Sequence, residues 1–273
     1  MDTAPSTGAG GSFTPAAPAN TEAFAAALRA SLPLRLELDA ILRVLATIGV
    51  ENRSCLDLGF PNPLMSKSLR QCGGYWQTAA QTVGEREAAA AVLREDVPAL
   101  GPQGQLPYED KQFDLVVVGL GRLSGIAAED AALVREVHRV LRSPGYIVLG
   151  APYRKAAGLA YPLGRLAGWD GPGAYTESQM FELLKTGFDV LGVRTYFRFW
   201  VQLVRLFLDR PGRSRAVAPF LYRLAFQLDL IIFFTRGYRM VAYGRRKGWR
   251  PRQTPVLSDG RNITEAVLKQ TGR

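Results

Sequence analysis

Asp57, Leu58 and Gly59 close a short apolar run, residues 54–58, and lead into Phe60-Pro61-Asn62-Pro63. An acid and a glycine at the end of a buried strand are residue types suited to a nucleotide-type ligand. Glycine lets the backbone take unusual dihedrals and bring N–H groups against the ligand. Proline fixes φ and has no N–H, so Pro61 and Pro63 remove two donors and stiffen the turn. The Asp57 carboxylate has three available roles here: orienting the loop, contacting a ligand, or capping the next turn.

The elements that must hold this loop follow from hydropathy. Helices are expected over residues 21–30 and 36–48, the second carrying Leu38, Ile41, Leu42, Leu45 and Ile48 at helical spacing before Gly49. Residues 54–58 and 75–79 read as strands, and 85–95 as an alanine-rich helix. Leu115 to Val118 is a continuous apolar run of the kind a parallel sheet buries on both faces. A helix over about 128–142 carries Leu133, Val137, Val140 and Leu141 on one side. Ser143-Pro144-Gly145 then turns the chain into a strand at 146–149. Thr176-Glu177-Ser178-Gln179 has the capping-box pattern for a helix that Gly187 ends, and 188–197 and 238–245 are strand-like. Strands alternating with helices at this spacing imply a parallel sheet with crossover helices, with ligands at the carboxyl ends of the strands.

Three stretches, Leu56-Asp57-Leu58-Gly59, Leu106-Pro107-Tyr108 through Val118, and Val134 through Gly145, resemble the class I S-adenosylmethionine (SAM) dependent methyltransferases. The resemblance covers about residues 36–197, and 238–245 is similar to the family's last strand. It implies an α/β fold: a Rossmann-like, mostly parallel sheet with the last strand antiparallel, helices on both faces and a helical insertion before the last strand. SAM is the implied cofactor, and the implied cofactor-binding residues are Asp57, Gly59, Phe60, Asn62, Asp96 and Gly119. Asp96 would serve the adenine side. In the family an acid at the end of the second strand grips the ribose hydroxyls; here Tyr75 to Gln81 holds no acid, and Glu85 follows on the next helix. The Gly119-Leu120-Gly121-Arg122-Leu123 loop also departs from the family pattern. Arg122 and Tyr153 would face an acceptor pocket. His138 reads as structural, on a helix far from the strand ends. No catalytic residue is assigned, since aligning a nucleophile with the sulfonium methyl supplies much of the rate.

Composition narrows the class. The 273 residues are 47% hydrophobic and 21% charged, enough for a full core. Cys55 and Cys72 lack metal-ligand spacing, so no metal is expected. Residues 1–20 read as a flexible tail without signal-peptide features, 21–197 with 237–247 as the methyltransferase-like domain, 198–236 as an insertion and 248–273 as a second tail with a short helix near 265–269. These features suit a cytoplasmic chain, peripheral at the inner face of a membrane in one reading.

Between Arg198 and Arg252 thirteen basic residues face only Asp209 and Asp229, while the rest of the chain is near neutral. That excess suggests an anionic target. Two helices expected within 198–234 are apolar almost all round and must be covered. Neither holds about 18 residues free of charge, so neither spans a bilayer. An anionic membrane surface and a protein partner remain open for residues 198–252, and large aliphatic side chains argue against nucleic acid. The reading is therefore methyl transfer from SAM to an apolar or lipid-linked acceptor. Its rival is a catalytically inactive relative serving as a membrane- or partner-binding scaffold.

Overall fold

The computed structural model describes residues 19–101, 104–154, 174–196, 199–208, 218–231 and 237–248. The expected helix near 265–269, most of the tail 1–20 and nearly all of 248–273 lie outside them. Helices α1 (Ala19–Ala30) and α2 (Leu32–Ile48) precede β1 (Ser54–Asp57), α3 (Pro63–Arg70), β2 (Tyr75–Thr78), α4 (Val83–Leu93) and β3 (Phe113–Val118). Then come α5 (Ala127–Val140), β4 (Leu141–Pro152), α6 (Glu177–Lys185), β5 (Phe188–Tyr196), α7 (Phe199–Leu208), α8 (Ala218–Ile231) and β6 (Arg239–Arg246).

The six strands form one sheet in the order β2-β1-β3-β4-β6-β5. β1 pairs in parallel with β2 and β3, and β3 with β4, whereas β6 runs antiparallel between β4 and β5. Alternating residues of the inner strands feed two cores. Leu115 and Val117 point with Cys55 and Val148 toward Ile41, Val44 and Leu45 of α2 and Met65 and Leu69 of α3. Val116 and Val118 point with Leu56, Ile147 and Leu149 toward α5 and α6. Both faces are therefore covered, as the unbroken apolar run of β3 requires. The two stretches most like the methyltransferase pattern meet in space: Arg139 of α5 donates to the carbonyls of Leu106 and Tyr108, and Glu136 accepts from the Leu106 N–H.

Two local features differ from the sequence reading. A helix, α3, follows the proline loop directly, because Asn62 accepts from the Leu64 N–H at 3.1 Å as its N-cap and Pro63 opens its first turn. Proline is favoured there, where its missing N–H would have had no intrahelical partner. Second, the stretch 96–100, to which the sequence reading gave no element, joins the sheet's edge through an isolated parallel bridge between Ala80 and Ala99. Pro98, with no N–H, supports pairing on one side alone.

Candidate functional site

The chain passes from β1 outward to β2 and then returns to place β3 on the other side of β1. This reversal is the switch point at which open α/β sheets bind ligands. A cavity of about 590 Å³ lies at these strand ends, lined by Leu58, Gln81, Leu100, Gly101, Arg122 and Leu133, among others. The volume is in the range of small-molecule sites.

Asp57, at the end of β1 and next to the cavity residue Leu58, is wholly buried and is a hub. It accepts from the Gly59 N–H at 3.0 Å, the Ser66 hydroxyl at 2.7 Å, the Thr78 hydroxyl at 2.8 Å and Arg70 at 3.3 Å. Arg70 also pairs with Glu95. Burial pushes the Asp57 carboxyl upward, against the opposing pull of these donors. Its lone pairs are thus spent on locking β1, β2 and α3 together.

Gly59 sits at φ +65°, in the left-handed region that glycine adopts without strain. A Cβ there would stand 3.0 Å from the Ala79 carbonyl oxygen. The Gly59, Leu64 and Met65 N–H groups donate to Asp57 and Asn62, and Pro61 and Pro63 have none to give. Asn62 is buried and also donates to the Phe24 carbonyl at 2.8 Å, tying α1 to the loop. Phe60 turns its ring onto Gly119 at the end of β3, where a Cβ would meet the ring at 2.5 Å. Gly119 thus has to be glycine to admit Phe60. Asp96 is exposed and does not line the cavity.

Arg122 reaches back across the switch point, toward β1 and β2. Its guanidinium donates twice to the Gly59 carbonyl, at 3.1 and 2.9 Å, once to Gln81 Oε1 at 2.9 Å and once to Glu85 Oε2 at 3.0 Å. The side chain is only 5% exposed. Tyr153, expected with Arg122 at the acceptor pocket, is instead buried at the end of β4, its N–H donating to the Tyr238 carbonyl. His138 packs edge-on against Phe188 and accepts from Arg246, away from the cavity.

Two residues have places that the sequence reading did not give them, Glu85 standing too far along the chain in that reading. Glu85 folds its carboxylate back to the Gln81 N–H at 3.2 Å while Thr82 accepts from the Glu85 N–H, so an acid does stand at the end of β2. The Thr82-x-x-Glu85 spacing, a capping-box pattern, was the available signal. Glu37 of α2 is buried and accepts from the Leu120 N–H at 2.7 Å, fixing the loop that carries Arg122. Burial raises the Glu37 carboxyl despite that bond and the charges of Arg239 and Arg122. No motif marks Glu37; the only trace is an acid between Leu36 and Leu38.

Residues 56–149 match the sequence family described as a methyltransferase domain. No curated protein matches the chain. Two solved proteins described as putative methyltransferases share the architecture. One, from Bacillus halodurans, is 14% identical, with 77% of this chain and 100% of that chain covered and a TM-score of 0.54. The other, from Haloferax volcanii in complex with the Trm112 methyltransferase activator, is 16% identical, with coverages of 83% and 96% and a TM-score of 0.56. The [4+2]-cyclase SpnF also aligns, at 19% identity over 77% of this chain and 81% of that chain, TM-score 0.50. At these identities the likeness is one of fold, and the fold is that of the class I SAM-dependent methyltransferases. The matched domain supports a SAM-dependent methyltransferase and implies SAM as cofactor.

An adenosyl group would meet apolar walls here, and polar acceptors only where Arg122 gives them up. Leu58, Leu100 and Leu133 supply apolar walls, and the Gly59 carbonyl, Gln81 and Glu85 converge as acceptors for hydroxyl donors. Arg122 now engages all three acceptors.

Proposed function

We propose that this chain is a SAM-dependent methyltransferase acting on an apolar or lipid-linked acceptor. The observation that carries the reading is the cavity at the switch point of a methyltransferase-type sheet, lined by Leu58, Leu100, Leu133, Gln81 and Arg122, with the Gly59 and Glu85 oxygens held behind Arg122. Bound there, SAM would supply an electrophilic methyl group. The protein's part is positioning: Gln81 and Glu85 would hold hydroxyls, Leu58, Leu100 and Leu133 would exclude water, and Asp57 and Glu37 would keep the two flanking loops rigid. No general base is required when the nucleophile is held in line. An apolar acceptor suits a chain whose insertion helices expose large apolar side chains.

A second reading has its own support. Arg122 fills the acceptor set, the Phe60 ring lies against Gly119, and the loop amides that are accounted for donate within the protein. This arrangement supports, as the alternative, a catalytically silent relative serving as a scaffold, since function is carried by the site and not by the fold. Calorimetry with SAM separates the two readings. One-to-one binding that Glu85→Gln weakens supports the enzyme. No heat at millimolar SAM, in wild type and in Arg122→Ala alike, leaves the scaffold.

A further inference from the structure

The insertion between β5 and β6 is a helical hairpin that buries two polar side chains and exposes four large apolar ones. Asp229 near the end of α8 accepts from the N–H groups of Trp200 and Val201 at the start of α7, at 2.9 and 3.2 Å. That contact sets the helices antiparallel, with Phe207 near the end of α7 and Phe220 near the start of α8, both away from it. The inner side holds Val201 and Ala225 and also two polar residues, Gln202 at 0% and Asp229 at 4% exposure. It packs on Leu32 and Leu36 of α2 and on Tyr196 and Tyr238. The outer side carries Leu203 and Phe207, four residues apart on α7, and Phe220 and Leu224, four apart on α8, at 38, 48, 69 and 48% exposure. Of the nine large hydrophobic side chains exposed among the described residues, four lie on this one hairpin. Water does not reward that distribution, but an apolar medium on the outer side does.

We infer that this face docks into the headgroup boundary of an anionic lipid bilayer. As described, α7 has 10 residues and α8 has 14, about 15 and 21 Å at 1.5 Å per residue, short of a hydrocarbon core of about 30 Å. No helix among the described residues is long and apolar enough to span. A hairpin of this size rests in one leaflet, with its aromatic side chains at the level of the headgroups. Charge selects the surface. Arg223 is exposed next to Leu224, and the segment from Arg198 to Arg252 carries thirteen basic residues against two acids, of which Asp229 is buried. Each basic residue near anionic headgroups raises affinity about fivefold. This inference does not depend on SAM binding, because the hairpin shares no residue with the switch-point cavity.

Flotation of the full chain with vesicles tests it. The chain is expected to float with mixed phosphatidylcholine and phosphatidylglycerol vesicles, less with phosphatidylcholine alone, and less again at high salt. The double variant Phe207→Ser, Phe220→Ser should lower partitioning roughly hundredfold, about tenfold for each partly buried ring, with an unchanged circular dichroism spectrum. Should that variant not fold, Phe220→Trp reads the contact directly: its emission must be quenched by brominated lipid chains. A wild-type chain that stays in the soluble fraction with anionic vesicles overturns the inference, as does a folded double variant that floats as well as wild type. It is equally overturned if the substitutions only convert a dimer into a monomer, which would show that a second copy covers this face.

Discussion

Replacing Arg122 by alanine should weaken the fold and strengthen ligand binding in the same protein. Four hydrogen bonds leave with the guanidinium, two to the Gly59 carbonyl and one each to Gln81 and Glu85. Bonds to a charged group contribute about 1.5–3 kcal/mol each when measured singly, but bonds sharing one guanidinium do not add. Glu85 keeps partial access to water and its bond from the Gln81 N–H, so its loss of a cation is moderated. A net destabilisation of about 2–3 kcal/mol follows. The acceptors released are the ones the proposed function gives to nucleoside hydroxyls, and on that proposal wild type must break the same clasp before binding. Apparent affinity is reduced by the fraction of open molecules, so about 2–3 kcal/mol of closure corresponds to a roughly 30- to 150-fold weaker Kd in wild type. Urea denaturation and calorimetry with S-adenosylhomocysteine measure the two effects side by side. Arg122→Lys, which keeps the charge but loses the bidentate grip, should lie between. If Arg122→Ala binds no more tightly than wild type while unfolding at lower urea, Arg122 is a strut and not an occupant of the ligand seat.

Asp57→Ala should lower stability by about 3 kcal/mol in urea denaturation, because Ser66, Thr78 and the Gly59 N–H lose their acceptor in a wholly buried site; a change below 1 kcal/mol would refute the hub. Gly119→Ala forces a methyl against the Phe60 ring and should cost about 1–3 kcal/mol, and adding Phe60→Leu should recover part of it; strictly additive losses in the double-mutant cycle would show that the two residues are not in contact. Burial first, and Arg246 second, hold the imidazole of His138 below its ordinary 6.5. The folded state therefore binds this proton less well than the unfolded chain, so stability is full above pH 6.5 and falls as pH drops through the lower folded value. Thermal midpoints between about pH 7 and 5 should show the decline in wild type and lose it in His138→Gln, and an unchanged slope would assign it to other groups.

The proline loop shows how a local rule can point the right way and still miss the structure. Pro61 and Pro63 do remove donors from the turn after β1, as their chemistry demands. Yet Pro63 also starts α3, and Asn62 caps it, so the donors are withdrawn by building a helix and not only by stiffening a loop. Signals that act within a few residues were legible. The apolar run of β3, the capping box at Thr176 and Gln179, and the stripe on α2 are all set by hydropathy periods and by bonds spanning three or four positions.

By itself, then, the sequence determined the sheet-and-helix order, the glycine-poor cradle and the concentration of basic and apolar residues between β5 and β6, because each is written in neighbours along the chain. Only the tertiary structure decided where the long polar side chains point. Arg122 finds Gly59, Gln81 and Glu85 at separations of 63, 41 and 37 residues, and Leu120 finds Glu37 at 83. A guanidinium can turn toward any acceptors within its reach, and which acceptors those are depends on how three loops converge at the edge of the sheet. The same holds for the hairpin: its composition was plain in sequence, but which residues face inward was settled by Asp229 meeting the start of α7.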